Sequence, residues 1–510
     1  MSLSRYNTST TNNTKLRTPR DVAPFSGMCA VCTEGCTGPC EIGQSALRGD
    51  ELLYPAAKAT SQTASEKDYP VDFSHLNING RGYGAFGTAP DETGYPLVRL
   101  ETGLGPADNR LKLRAPYVFP AIAKLNWRGY YTGAALAGVA AVIGEDMPTT
   151  DPGAVIRSGK VVSLPQLKER HDAFYRYNEG YGALFLQANP DDEELGLLEY
   201  ALEEVGFEAV ELKLGQGAKG IQGMNQLSSL EDALRMQEMG YEVFPDPSDP
   251  RVQHAWREGR AAPFYKVGRL PQWEEESFLE RVTQLRHRGA RYVAVKAGPY
   301  RVEDLARTLM LASEAGVDLV TFDGAGGGTG NSPLRMMNEW GYPTVYLEAL
   351  VRRLCEKMRE RGLRIPAVAI AGGIAFEDQV FKALALGAPH ISLIGLGRAP
   401  MAAAMVGEAA ARGLEEKGAA LEEVFSGLPE LRGRYGDEAL RLPPGAIGVY
   451  NYVRRVNIGL QQLMALCRKY RLEEIRRDDL IALTTEATRV TGVSHAADLD
   501  EEAVGRIFDR

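Results

Sequence analysis

From about residue 115 onward, short unbroken apolar runs alternate with stretches in which apolar side chains recur every third or fourth position. The short runs suit strands buried on both faces, and the longer spacing suits helices with one buried stripe. The predicted strands are Tyr117 to Ile122, Gly138 to Ile143, Gly182 to Gln187, Ala209 to Leu214, Tyr292 to Lys296, Leu319 to Phe322, Ala367 to Ile370 and Ile391 to Ile394. Predicted helices include Asp191 to Val205, with Leu195, Leu198, Leu202 and Val205 on one face, then Val302 to Ala315, and Phe376 to Leu386. Strands alternating with helices in this number predict an α/β fold closed as a (β/α)8 TIM barrel. The connection between the fourth and fifth strands is far too long for a barrel loop. It contains a helix near Leu230 to Met239, the turn FPDPSDP and a helix from Trp273 to His287, and it reads as a lid or substrate loop over 221–290.

The flanks have a different texture. Residues 1–110 are rich in Gly, Pro, Asn and Asp with no sustained period, which predicts an arm followed by loops and short helices. Beyond about 430 the strands stop, and NYVRRVNIGLQQLMALCRKY sets Val453, Ile458, Leu460, Leu463 and Leu466 at helical spacing. The expected division is therefore 1–110, a barrel over 111–430, and a helical segment over 431–510 that covers the barrel exterior or forms a subunit contact in a homo-oligomer.

Composition narrows the partners. The 510 residues are 44% hydrophobic and 25% charged, as in an ordinary soluble globular protein. A net charge of -9 argues against a nucleic-acid surface, which normally shows a basic excess. The longest apolar run, Gly133 to Gly144, falls short of the roughly 20 residues a membrane-spanning helix needs. The first twenty residues contain no acid, no apolar helical face and no secretory core, so a cytoplasmic location is expected.

Four of the six cysteines, Cys29, Cys32, Cys36 and Cys40, form the pattern C-x2-C-x3-C-x3-C, while Cys355 and Cys467 stand alone. Four thiolates this close can converge on one metal centre. Gly35, Gly38 and Pro39 in the short gaps favour wrapping around a bulky [4Fe-4S] cluster, with zinc as the alternative. Cys467 lies in a predicted helix and reads as a core residue.

In barrels of this type, residues at the carboxyl ends of the strands face the site. Gln187, Lys213, Lys296, Asp323 and the glycines after Ile370 and Ile394 occupy such positions. After the sixth strand, FDGAGGGTGNSP supplies Gly324, Gly326, Gly327 and Gly328, where backbone can approach a flat phosphorylated ligand with no Cβ in the way. A second glycine pattern, Gly82, Gly84 and Gly87, has dinucleotide-fingerprint spacing, but it follows a poor strand and runs into Ala89-Pro90, so no nicotinamide site is indicated.

The strings ELKLGQGAKG (Glu211 to Gly220), FDGAGGGTGNSP (Phe322 to Pro333), AIAGGI (Ala369 to Ile374) and GLGRAP (Gly395 to Pro400) occur in that order and resemble the FMN-binding domain of glutamate synthase over roughly 115–410. The resemblance implies FMN across the barrel mouth, its phosphate held at Gly372, Gly373, Gly395 and Gly397 with Arg398. It also implies that Lys296 places a cation near flavin N1 and O2 and that the loop Asp323 to Thr329 approaches the flavin. Lys213, Gln216 and Lys219 match the motif that faces the substrate, where a lysine holds the carboxylate of 2-oxoglutarate or its imino acid.

The chain departs from the family in three places. Gly220 to Gln226 read GIQGMNQ where the family has PGEGG. No cysteine cluster follows Gly397, and the N-terminal cluster is expected to take over electron entry. With Ser at position 2 and only about 110 residues before the barrel, no glutaminase domain is expected at the N-terminus. The implied protein is an iron–sulfur flavoprotein that reduces the imine of a 2-oxo acid, with 2-oxoglutarate to glutamate the most specific candidate. A ferredoxin or reductase subunit would supply electrons, and ammonia or a separate glutaminase the nitrogen. The alternatives are an FMN and iron–sulfur electron-transfer subunit, or an FMN enzyme acting on another amino or hydroxy acid.

Overall fold

The computed structural model describes residues 69–84, 87–121, 126–215, 217, 221, 224–325, 336, 339–416 and 420–509. Cys29, Cys32, Cys36 and Cys40 lie outside them. Eight parallel strands close into a barrel. They are β1 (Tyr117–Phe119), β2 (Ala140–Ile143), β3 (Leu184–Ala188), β4 (Ala209–Lys213), β5 (Tyr292–Ala297), β6 (Leu319–Asp323), β7 (Ala367–Ala371) and β8 (Ile391–Gly395). Each falls on one of the eight predicted apolar runs.

The alternation of a strand divides these residues between two environments. Val293, Val295, Val320, Phe322 and Ile370 point outward into the layer packed against the helices. Phe185, Ala209, Tyr292, Ala294, Leu319, Ala369 and Leu393 point inward and fill the lower barrel together with Leu104, Leu111 and Leu113. Those three leucines belong to an antiparallel hairpin, Thr102–Leu104 with Leu111–Leu113, which plugs the end of the barrel where the strands begin. Further along β3, β4, β5 and β6 the inward positions turn polar, as Gln187, Glu211, Lys213, Lys296 and Thr321, all buried. The barrel is thus sealed at one end by leucine and lined at the other by charge.

The outer helices are α1 (Trp127–Ala137), α2 (Pro165–Tyr175), α3 (190–205), α4 (Glu275–His287), α5 (Val302–Glu314), α6 (Thr344–Glu360), α7 (Glu377–Gly387) and α8 (Arg398–Glu415). The helix expected over Asp191 to Val205 is broken. Pro190–Glu194 and Leu197–Tyr200 are separated at Gly196, which takes φ +67°, and Ala201–Val205 form a π turn. The left-handed residue interrupts a stripe whose spacing alone is continuous.

The long excursion after β4 contains a three-stranded antiparallel sheet, with Phe264–Val267 between Met224–Leu227 and Glu242–Phe244, and two short helices, Leu230–Glu238 and Pro250–Arg257. Its last expected helix, Glu275–His287, packs beside α5 and β5 as the barrel's own fourth helix. The C-terminal segment is mainly helical, and its long helix α9 (Pro444–Leu466) packs against α1 and α8. It also holds one strand, Leu480–Ala482, paired antiparallel with Leu76–Ile78, so strands do recur beyond 430. Three residues are too few for a periodic signal to show. Cys355 and Cys467 are free and buried, and burial pushes both thiols up to about 12, which makes them inert packing residues.

Candidate active site

The parallel register sets the geometry of the barrel mouth. Gln187 on β3 lies beside Glu211 on β4, Lys213 on β4 lies beside Lys296 on β5, and Lys296 lies beside Thr321 on β6. Two buried ammonium groups on neighbouring strands would repel each other strongly without acids to match. Glu145, just past β2, forms an ion pair with Lys213, whose side chain is 1% exposed. Asp323 at the end of β6 lies 3.3 Å from Lys296 Nζ. Gln187 Nε2 donates to Glu211 Oε1 at 2.6 Å. Burial holds the Glu211 carboxyl above its ordinary range, against the opposing pull of Lys296, Gln187 and Lys213.

Two buried polar atoms in this belt, Gln187 Oε1 and Thr321 Oγ1, have no hydrogen-bond partner among the described residues. Buried polar atoms are rarely left unpaired, so their presence beside two lysines marks a place built for something polar. On the opposite rim, Gly395 to Gly397 lead directly into α8, whose first residue is Arg398. The first turn of a long helix presents unpaired N–H groups to an anion. Arg398 makes no ion pair among the described residues, and burial lowers its guanidinium pKa against the pull of Asp323. An uncompensated arginine at a helix start suits a phosphate, and the belt of Gln187, Lys213, Lys296 and Thr321 suits a flat, hydrogen-bonding ring system. The residues present fit a phosphorylated flavin.

The glycines divide into two kinds. A Cβ added at Gly324 or at Gly372 would come within 2.5 Å of Thr344 Oγ1, and one at Gly395 within 2.5 Å of Ala371 Cβ. These positions are glycine because α6 and the neighbouring strand close directly on them. Thr344 Oγ1 secures that packing by donating to the Gly372 carbonyl at 2.8 Å. Gly372 and Gly373 also take φ of +121° and +79°, values that leave the following backbone facing the mouth. Of the remaining sequence-predicted residues, Gln216, Lys219, Gly326, Gly327, Gly328 and Thr329 lie outside the described residues.

Sequence reasoning passed over several residues here. Glu145 and Asp146 sit immediately beyond β2, in the same carboxyl-end position that singled out Lys213, and the same rule applied to GED would have found them. Asp146, held at φ +67°, turns away from its neighbour and lies 2.8 Å from Nζ of Lys266 in the excursion sheet. Asn189 Nδ2 donates to the same Asp146 oxygen at 3.0 Å, and the Asp146 N–H donates to Asp192 at 2.9 Å. Lys266 is 3% exposed, and although burial disfavours its charge, Asp146, Asp192 and Asp191 hold its pKa above the ordinary lysine value. Adjacent acids thus connect Lys213 in the barrel with the excursion that stands beside it. No periodic signal could announce Lys266, because its partner lies 120 residues away in the chain.

Residues 272–410 match the family model described as the conserved region in glutamate synthase. The second half of the barrel resembles the conserved region of glutamate synthase. Over 202 residues the chain is 29% identical to the glutamate synthase large subunit-like protein of Rhizobium meliloti, covering 36% of this chain and 42% of that protein. Over 189 residues it is 31% identical to the archaeal-type glutamate synthase (NADPH) of Dehalococcoides mccartyi, covering 36% of this chain and 33% of that protein. The chain thus spans well under half the length of these relatives. Among solved structures, the flavin-binding domain of baker's yeast flavocytochrome b2 shares 15% identity at a TM-score of 0.46, covering 85% of this chain and 81% of that one. Among the described residues, no helix is long and apolar enough to cross a membrane, and no group of His, Cys, Asp and Glu is arranged to hold a metal.

Proposed function

We propose that this chain is an FMN-dependent oxidoreductase of the glutamate synthase type, reducing the imine of a small anionic 2-oxo acid, with 2-oxoglutarate to glutamate the best-supported reaction. The observation that carries the reading is the pair of buried lysines side by side at the mouth, Lys213 and Lys296, next to a buried amide oxygen without a partner among the described residues. The relatives' names agree with it. FMN, when bound, supplies hydride chemistry. Gly395 to Arg398 would hold its phosphate, and Gln187, Lys296 and Thr321 would bind its ring through hydrogen bonds and charge.

On the substrate side, Lys213 is the cation for a carboxylate. Its present partner, Glu145, is the group that an incoming acid must displace or share, so binding exchanges one carboxylate for another without leaving a buried ammonium unpaired. Glu145 then stands beside the substrate able to hold a proton at Oε1 and deliver it to the imine nitrogen. The Asp146–Lys266 contact keeps the excursion against this rim and helps exclude water. Cys29, Cys32, Cys36 and Cys40 would carry a [4Fe-4S] cluster that receives electrons from a ferredoxin or a reductase subunit, with nitrogen arriving as ammonia or from a separate glutaminase.

Anaerobic flavin spectroscopy tests the reading. Reduced, FMN-loaded protein is expected to reoxidise on addition of 2-oxoglutarate with ammonium and to form glutamate. Reoxidation by neither this pair nor any other amino or keto acid tried would overturn it. Metal and acid-labile sulfide analysis of anaerobically purified Cys36→Ser protein tests the cluster separately, with loss of iron and retention of FMN expected.

A further inference from the structure

At the end of the barrel away from the active site, where β8 begins, a cavity of about 720 Å³ opens between α6, the turn at Pro389 and residues Arg476 to Asp478 of the C-terminal segment. Arg352 and Arg359 enter it from α6, and Arg476 and Arg477 face them from the other wall. Two acids also line it, but both are taken. Glu356 lies 2.8 Å from His390 Nε2 and is paired with Arg359, and Asp478 accepts from Arg81 at 2.9 Å.

Arg359 thus has an acid, but Arg352, Arg476 and Arg477 have none among the described residues. Nε of Arg352 is buried without a partner, and the residue makes no hydrogen bond or ion pair among the described residues. Arg477 donates only to main-chain oxygens, those of Leu386 at 3.3 Å and Thr491 at 2.7 Å. Arg476 likewise reaches only the carbonyls of Glu473 and Ile475. Glu348 is fully buried nearby, and burial drives its pKa up, but both its carboxyl oxygens are without a hydrogen-bond partner among the described residues, so it makes no contact that would match an arginine. Burial, and for Arg477 the neighbouring Arg352, pushes both guanidiniums below their usual value, Arg477 to about 10, against the weaker pull of Glu356 on Arg352 and of Glu348 on Arg477. Among the described arginines only Arg398, at the proposed phosphate position, is displaced in the same direction.

We propose that this cavity is a second ligand site, which binds a small oxyanion of two or more charges, a phosphate or a polycarboxylate, between the forks of Arg352 and Arg477. Planar guanidinium forks match the oxygens of phosphate and carboxylate in pairs. Because Arg352 belongs to the barrel and Arg477 to the C-terminal segment, the anion joins the two and cancels a repulsion built into the free protein. Nothing in this proposal depends on the reaction at the mouth.

Thermal unfolding of the full, FMN-loaded chain at low ionic strength tests it, comparing inorganic phosphate and citrate with sodium chloride of equal ionic strength. Phosphate, citrate or both are expected to raise Tm by about 3 °C beyond chloride. A response confined to one of them identifies the oxyanion as phosphate or as carboxylate. Arg352→Gln leaves Arg398 and the mouth untouched, so it separates this site from any anion bound there. In chloride alone its Tm is expected to equal or exceed that of the parent protein, since an unmatched charge has gone, and the anion increment is expected to vanish. Arg352→Lys keeps the charge without the fork and is expected to retain part of the increment. Indifference of the parent protein to both anions, or an undiminished increment in Arg352→Gln, would overturn the proposal.

Discussion

The two ends of this barrel treat buried positive charge in opposite ways. At the mouth, Lys213 meets Glu145, Lys296 meets Asp323 and Lys266 meets Asp146. At the underside, among the described residues, Arg352 has no hydrogen-bond or ion-pair partner and Arg477 has only carbonyls. A paired lysine can hand its acid over to an incoming one at little electrostatic cost, because the number of buried charges it faces stays balanced. An unpaired arginine instead leaves the free protein strained until an anion arrives, which makes occupancy a matter of stability. One end is arranged for turnover and the other for holding.

The largest effect should come from breaking the exchange at the mouth. Lys213→Ala removes the cation that a substrate carboxylate would meet, and it leaves Glu145 in a buried setting without its partner. Reoxidation of reduced flavin by 2-oxo acid and ammonium is expected to slow by about 1,000-fold, roughly 4 kcal/mol of transition-state stabilisation. FMN content, read from visible absorbance, is expected to stay the same, since the flavin contacts argued above run through Lys296 and the start of α8. Equal loss of flavin and activity would mean that Lys213 belongs to the cofactor layer and that the exchange argument is wrong.

How much of this was legible in the chain depends on range. The barrel was legible because each strand is a local apolar run, and all eight predicted runs became strands. Lys213 and Lys296 were legible because a charge at the end of such a run is locally anomalous. Their acids were harder to see: Glu145 lies 68 positions before Lys213, and nothing in either neighbourhood announces the other. The break of α3 at Gly196 hid inside a continuous helical spacing, since one left-handed residue changes no apolar position. The underside was the least legible of all. Arg352 and Arg477 look like solvated surface charges in sequence, and only the fold reveals that no described acid makes an ion pair with them.

A middle-sized effect tests whether the mouth is one electrostatic unit. Lys266→Met is expected to cost about 3 kcal/mol in urea unfolding, because Asp146 and the buried Asp192 lose their cation. Hydrogen exchange should show the loss concentrated in the excursion sheet rather than in the barrel strands. Adding Asp146→Asn to that variant is expected to recover a good part of the cost, since the double change removes both charges. If the single variant lost less than 1 kcal/mol, the contact would be incidental, and the excursion would need another anchor.

The smallest effect bears on the underside and turns on pH. Burial raises the Glu348 pKa well above that of an exposed glutamate, despite Arg477 pulling it down. For an acid raised on folding, the stabilising contribution is complete below the unfolded value near 4.5. It is then lost progressively as pH climbs towards the folded value, by at most about 1.4 kcal/mol per pH unit. Glu348→Gln preserves the shape and abolishes the titration. The variant is therefore expected to match the parent protein at mildly acidic pH and to gain on it steadily through neutral and alkaline pH in Tm measurements. If Glu348 were instead ionised and serving Arg477, the substitution would destabilise the protein across the neutral range, and the amide would leave the cavity still more positive. That outcome would return a countercharge to the underside and reduce the contrast between the two ends to one of geometry alone, with acids present at both but in contact only at the mouth.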